Sequence, residues 1–193
     1  MRVVLVSGRI APWNGQMSMI DAARLLVGCG DRKIAFVFDG EDRGQARYAR
    51  RVLRQARMHG IDTLCRMIGH CADMPAAYAV ADVVVVPALE PPLSGRAAAE
   101  AQAMGRPVVA TTVEVLPENL LCPPRMRDEL RTGWLVRPGN MGELAVASVL
   151  ALDVTAYAAL SARARQFAEF AFSSQSVAEA IRGVYTSLLA RNV

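Results

Sequence analysis

Short stretches of the chain carry residues whose types and spacing suit an anionic ligand that also bears hydroxyls. Ser7-Gly8-Arg9 follows a β-branched run. Glycine there permits close backbone approach, and arginine can grip a phosphate through a flat fork of donors. The ordinary alternative is a surface arginine in a turn. Gly95-Arg96-Ala97-Ala98-Ala99-Glu100 follows the most hydrophobic run in the chain. Gly95 opens a helix whose first N–H groups lack intrahelical partners, a ready anion site. Glu100 stands little more than one turn inside, where its carboxylate can reach back to ligand hydroxyls. The alternative is a glutamate favoured there by the helix dipole. His70, ahead of Cys71 and Asp73, has the chemistry of a base or a ligand, yet a lone histidine at a strand end is more often structural. Asp39-Gly40 closes a second β-branched run, and His59 at a helix end reads as a partner of the C-terminal dipole.

A second feature is electrostatic. Arginines 43, 47, 50, 51, 54 and 57 fall on one face at ~100° per residue, while Ala46, Ala49, Val52, Leu53 and Ala56 fall on the other. One reading is a docking stripe for an anionic membrane or nucleic acid. The commoner one is the solvated face of an amphipathic helix. Peripheral association with an anionic membrane face stays open on this stripe. Nucleic acid is not expected, because the aromatic residues (6% of the chain) are few and scattered for base stacking.

These residues need elements to hold them. The chain has 193 residues, 53% of them apolar and 21% charged, enough for one domain with a real core. Twenty-two Lys and Arg against eighteen Asp and Glu give a net +4, a mildly basic balance carried almost wholly by arginine. Disorder and collagen-like character are excluded by the apolar fraction. Cys29, Cys65, Cys71 and Cys122 form no C-x-x-C pair and, with only two histidines, no zinc pattern. They read as mostly buried free thiols, and no metal or cofactor is expected. No run approaches the ~20 apolar residues of a membrane span, and residues 1–8 are too short for a signal peptide, so a cytoplasmic protein is expected.

Short apolar runs at 3–6, 34–38, 64–68, 83–86, 107–111 and 133–136 alternate with helical patterns at 17–27, 45–58, 74–80, 96–104 and 141–152. Helical patterns fill 155–170 and 176–189. A doubly wound parallel α/β sheet with C-terminal helices satisfies this alternation, because each parallel connection needs a crossover. In such folds ligands bind beyond the carboxyl ends of the strands, which singles out the loops at 7–16, 39–44, 88–95 and 112–121. The signatures G-x-x-x-x-G-K-[ST], G-x-G-x-x-G and G-x-S-x-G are all absent, which weighs against kinase, nicotinamide dehydrogenase and hydrolase chemistry.

The order of features matches a known pattern. Gly69-His70, then Asp73-Met74-Pro75-Ala76-Ala77-Tyr78, Ala81-Asp82 and the run from Val83 to Pro87 are its most specific part. Gly95-Arg96, Glu100-Ala101-Gln102-Ala103-Met104-Gly105-Arg106-Pro107-Val108-Val109-Ala110-Thr111, Pro117-Glu118, Gly133-Trp134-Leu135-Val136 and Pro138-Gly139 continue it. The chain resembles, over residues 3–189, the C-terminal donor-binding domain of the retaining GT-B glycosyltransferases of family 4 (glycosyl transferases group 1).

The resemblance implies a Rossmann-like domain, spanning residues 1–193, that binds a UDP- or GDP-sugar as donor substrate and moves the sugar to a glycan or lipid-type acceptor. It implies Arg9 at the donor diphosphate, the amides after Gly95 with Arg96 at its phosphates, and Glu100 at the ribose hydroxyls. Asp39-Gly40 would lie near the nucleotide and His70 beside the base. No residue is assigned a catalytic role. The family's first loop usually has a lysine where Asn14 stands, its glutamate eight residues before the position of Glu100 falls at Pro92, Ser94 replaces the usual aromatic, and its Gly-Gly is Glu114-Val115. The resemblance also implies an N-terminal acceptor domain that this chain does not contain, so the chain alone is expected to be inactive. A non-catalytic nucleotide-binding or scaffold module, and an epimerase acting on the nucleotide sugar, are the competing expectations.

Overall fold

The computed structural model describes residues 1–30, 33–91 and 95–190. The apolar runs become strands β1 (Arg2–Ser7), β2 (Ile34–Asp39), β3 (Cys65–Gly69), β4 (Val83–Val86), β5 (Val108–Thr111) and β6 (Gly133–Val136). Between and after them lie helices α1 (Gln16–Gly28), α2 (Ala46–Met58), α3 (Met74–Val80), α4 (Arg96–Ala103), α5 (Met141–Ala151), α6 (Val154–Phe172) and α7 (Ser174–Ala190). All strand pairings are parallel, and the order across the sheet is β3-β2-β1-β4-β5-β6. The order reverses between β1 and β4, which makes the crevice at their carboxyl ends a topological switch point.

The strands are apolar on both faces because both faces are covered. All four residues of β4 are buried, as expected for a central parallel strand. With a period of two, Val4, Val6, Ile34, Phe36, Phe38, Val83 and Val85 pack against α1, α2 and α5. Leu5, Val84, Val86, Val108 and Ala110 pack on the other face with Tyr78 of α3 and Ala98 and Ala101 of α4. Emptying a position such as fully buried Phe36 would cost about 3–5 kcal/mol. The small residues of α4 bring its backbone, and with it the helix N-terminus, close to the sheet.

Helix starts are set locally. Asp73 accepts from Ala76 N at 3.0 Å to cap α3, Asn140 from Glu143 N at 3.0 Å to cap α5, and Asp153 from Thr155 N at 2.9 Å to cap α6. Asp82 ties the lower edge: its carboxylate accepts from Arg2 Nη1 at 2.8 Å and from Val3 N at 2.7 Å. Its carbonyl accepts from the Tyr157 hydroxyl of α6 at 2.8 Å.

Helix α7 follows α6 and buries none of its residues; Val177, Ile181, Val184, Tyr185 and Leu188 line one exposed stripe. Among the described residues no single helix is long and apolar enough to cross a membrane.

Three expectations need correction. Ala46 is exposed, because at ~100° per residue it stands about 120° from buried Val52, at the border of the arginine face. Only two of the four thiols, Cys65 and Cys122, are buried; Cys29 is exposed beyond α1 and Cys71 is half-buried after β3. His59 is more than a dipole partner. Its Nε2 lies 2.9 Å from Asp21 Oδ1, and Gln55 Nε2 donates to the same oxygen at 2.5 Å, so the end of α2 is fastened to α1.

Candidate functional site

The carboxyl ends of β1, β2, β3 and β4 and the start of α4 surround a cleft of about 480 Å³ at the switch point. The register explains why distant residues meet there. Ser7 pairs with Asp39 and Asp39 with Gly69, so three strands end at one level.

Arg9 stands exposed on the β1–α1 loop, which has its own scaffold. The Arg9 carbonyl accepts from Asn14 Nδ2 at 2.7 Å and from Gln16 Nε2 at 2.8 Å. Gln16 is almost fully buried, and its amide also reaches the Gly8 carbonyl at 3.4 Å. The β2 loop crosses this one closely. Gly40 has φ 136°, and a Cβ there would come 2.3 Å from the Gly8 carbonyl oxygen, so only glycine fits. Gly40 N donates to the Gly69 carbonyl at 2.8 Å.

Asp39 is nearly buried, and burial raises its pKa above the ordinary carboxylate value. The Cys71 amide, which donates to Asp39 Oδ1 at 3.1 Å, acts in the opposite direction, as do His70 and the Ser7 hydroxyl. His70 itself is exposed on the cleft wall. The Ser7 hydroxyl lines the cleft with Asp39 and Tyr78 and favours the charged form of each, and Tyr78 Oη donates to Glu100 Oε2 at 3.0 Å. A chain of polar groups, Asp39–Ser7–Tyr78–Glu100, therefore crosses the floor from β2 to α4. Burial, then the charge of Glu100, pushes the Tyr78 phenol well above its usual range, so it stays a donor.

Gly95 opens α4 in the left-handed conformation, φ 58°. A Cβ would fall 2.0 Å from Asn119 Nδ2, which donates to the Gly95 carbonyl at 3.2 Å. The N-cap is a glycine with no side chain to give, and among the described residues no side chain caps this helix, so its first amides face the cleft. Arg96 is exposed, with Nε 3.4 Å from Glu100 Oε1. Cations and helix-start amides thus flank a carboxylate that one donor, Tyr78, orients and one exposed cation, Arg96, faces: the setting for an anion carrying a diol. Among the described residues no three His, Cys, Asp or Glu side chains are grouped to hold a metal ion.

All eight expected residues (Arg9, Asn14, Asp39, Gly40, His70, Gly95, Arg96 and Glu100) border this one cleft. Pro92 and Ser94 lie outside the described residues. Of the four loops singled out, the one at 112–121 does not line the cleft; it supports Gly95 through Asn119 from behind. Sequence reasoning placed Ser7, Glu41 and Arg43 in the right loops without giving them a role at the site, and it missed Tyr78 as a lining residue and Gln16 as the brace of the first loop. Glu41 and Arg43, ion-paired to each other, lie inside the 39–44 loop. A polar residue in the first turn of α1 was the available hint of Gln16.

A family model of glycosyl transferases group 1 matches residues 1–153. The chain belongs to that family. Among solved structures, the group 1 chain is similar to Anabaena HepE crystallised with UDP and glucose: 25% identity, TM-score 0.83, covering 96% of this chain and 48% of HepE. A glycosyltransferase from Rickettsia africae matches with TM-score 0.83 at 20% identity, over 98% of this chain and 48% of that one. The C-terminal domain of LpcC, a group 1 protein from Francisella tularensis, matches with TM-score 0.75 at 21% identity, over 90% of this chain and 87% of that one. This group 1 chain thus spans about half the length of the first two and looks like the C-terminal half of the GT-B fold. No curated protein matches it.

Proposed function

We propose that this chain is the donor-binding half of a glycosyltransferase that takes a UDP- or GDP-sugar and transfers the sugar, with retention, to a glycan or lipid-type acceptor. The observation that carries this reading is one cleft at the switch point holding both a helix start with a glycine N-cap beside arginines and, about one turn in, a carboxylate oriented by Tyr78. A nucleoside diphosphate needs both. The amides after Gly95, with Arg9 and Arg96, would take the phosphates, where fixed dipoles also favour charge developing on the leaving diphosphate. Glu100 would accept from the ribose hydroxyls, Asp39-Gly40 would lie under the nucleotide, and His70 would stand beside the base. The relative crystallised with UDP and glucose supports the same ligand class. The acceptor would be held by a second unit, with transfer in the water-excluding cleft between the two.

One observation favours a non-catalytic nucleotide-binding module. The Asn14 amide, where the family pattern has a lysine, is occupied by the Arg9 carbonyl, so this loop offers the diphosphate one cation fewer. Calorimetric titration with UDP, GDP and their sugars, followed by transfer assays with the acceptor-binding unit supplied, separates the readings. Nucleotide binding with transfer supports the enzyme, and binding without transfer the module. Failure to bind any nucleoside diphosphate overturns both.

A further inference from the structure

The donor reading leaves the outer face of α2 unused. Arg47, Arg50, Arg51, Arg54 and Arg57 are all exposed there, on an arc of about 120° that runs about 15 Å along the axis. No acidic residue occurs between Asp42 and Asp62. Among the described residues none of these five guanidinium groups makes an ion pair or a side-chain hydrogen bond; the nearby Arg43 pairs with Glu41 instead. Without the five, the remaining seventeen basic residues would be outnumbered by eighteen acidic ones, so this face holds the chain's whole positive excess.

The helix cannot turn this face inward. Tyr48, Val52 and Ala56 are buried on its other side, Tyr48 Oη accepts from Met17 N at 3.4 Å, and Asp21 of α1 holds both Gln55 and His59. Arginines spaced three and four apart repel one another and weaken the helix that carries them. The first turn of α2 also has no acidic residue to offset the positive end of its dipole. A polyanion relieves both.

The side chains of the face select the polyanion. A shallow hollow of about 600 Å³ runs along it between Pro12 and Arg47, Arg50, Arg51 and Arg54; the helix's one tyrosine is buried, and the face presents no exposed aromatic ring as a stacking platform for nucleobases. Met58, 77% exposed, ends the same arc and offers an apolar tip beside the cations. Headgroups in a fluid layer can move to match a fixed row of guanidinium groups, and an apolar tip suits their acyl margin. The row starts just beyond Arg43, which lines the cleft, so docking would seat the cleft mouth at the edge of that layer. We propose that the arginine face of α2 docks on an anionic lipid surface, with Met58 at its margin. This does not depend on the donor reading.

The test is co-sedimentation of the chain with phosphatidylcholine vesicles containing about one third phosphatidylglycerol, against phosphatidylcholine alone, at rising salt. Binding to the anionic vesicles only, weakening with salt, is expected. Each arginine lost should cost about fivefold, so a combined Arg47→Gln, Arg51→Gln, Arg54→Gln variant should bind about a hundredfold more weakly. Glutamine keeps the helix propensity, and circular dichroism checks the fold. Absence of vesicle binding, equal binding to neutral vesicles, or full retention by the variant overturns the proposal. Tighter binding to duplex oligonucleotides than to vesicles also overturns it and assigns the face to nucleic acid. UDP titration is read separately: a chain that binds vesicles but not UDP sinks the donor reading and leaves this one standing.

Discussion

Tyr78 of α3 donates its hydroxyl to Glu100 Oε2 of α4 over 3.0 Å, while Arg96 Nε faces the other carboxylate oxygen at 3.4 Å. The phenol is buried and the guanidinium exposed, so the inner oxygen is held by a hydrogen bond while the outer one only faces a solvated cation. A carboxylate anchored at one oxygen is partly oriented before any ligand arrives, and it lines the cleft with acceptor sites to spare. What the pair prepares is an acceptor for hydroxyls.

Glu100→Ala is therefore expected to weaken UDP binding by roughly 10- to 100-fold, corresponding to about 1.5–3 kcal/mol for a charge-assisted contact. Inorganic pyrophosphate, which has no ribose, should bind both forms alike. Calorimetry with the two ligands checks this, and equal UDP affinity would remove Glu100 from the site.

Tyr78→Phe keeps the buried ring and deletes the donor. The expected losses are about 1 kcal/mol of stability and a few-fold in UDP affinity, smaller than for Glu100→Ala because Arg96 still faces the carboxylate. In the double variant the Tyr78→Phe effect on binding should vanish, since nothing remains for the phenol to orient. Additive losses would mean that Tyr78 acts on the ligand by another route.

Much of this site was legible because strand ends and helix starts are local features. Arg9 follows a β-branched run, Gly95 precedes an alanine-rich helix, and the alternation of runs requires the loops after them to share one edge. Tyr78 was hidden because one aromatic in a short helix reads as core, and it is core; its hydroxyl matters only through α4, 22 residues away. Gln16 and Asn14 act on the carbonyl of Arg9, a partner that spacing does not reveal. The 112–121 loop was misplaced for a topological reason. It follows β5, one strand further from the β1–β4 switch point, and supports the site from behind, through the Asn119–Gly95 bond.

Asp39 should leave a signature in the pH dependence of stability. Burial raises its native pKa above 3.8, so over the window just above that value the native state keeps a proton that the unfolded chain has released. Stability then falls as pH rises through the window, and the ionised form is carried at a cost at neutral pH. Asp39→Asn, which can still accept from the Cys71 amide, should be more stable than wild type at neutral pH, the advantage shrinking toward zero on acidification. Denaturant midpoints across that range check the sign, and a variant less stable at neutral pH would refute it.

The thiols should react in an order set by burial. Cys65 is pushed up to about 11 by burial and by Asp62, and burial raises Cys122 as well, so neither supplies thiolate to a reagent in the folded chain. Exposed Cys29 should react first with an aromatic disulfide at mildly alkaline pH. Half-buried Cys71, whose Sγ donates to the Asp73 carbonyl at 3.2 Å, should follow. Cys65 and Cys122 should require denaturant. Four equally fast thiols in the native chain would contradict this packing.

The β1–α1 loop offers a test in the opposite direction, by gain. Asn14→Lys gives up the 2.7 Å bond to the Arg9 carbonyl, but Gln16 still holds that oxygen at 2.8 Å from a buried position, so the loop should keep its course. The new ammonium would stand on the cleft wall beside Arg9. A cation about 4 Å from a phosphate near a protein surface is worth on the order of 4 kcal/mol before desolvation is subtracted, and most of that is lost to solvent at an exposed position. UDP or GDP binding should therefore tighten several-fold, with the gain fading as salt rises, while Asn14→Gln, which adds no charge, should gain nothing. Arg9→Ala should weaken both nucleotides. If Asn14→Lys gains nothing at low salt and Arg9→Ala loses nothing, the diphosphate does not lie against this loop, and the cleft has kept its architecture without that ligand.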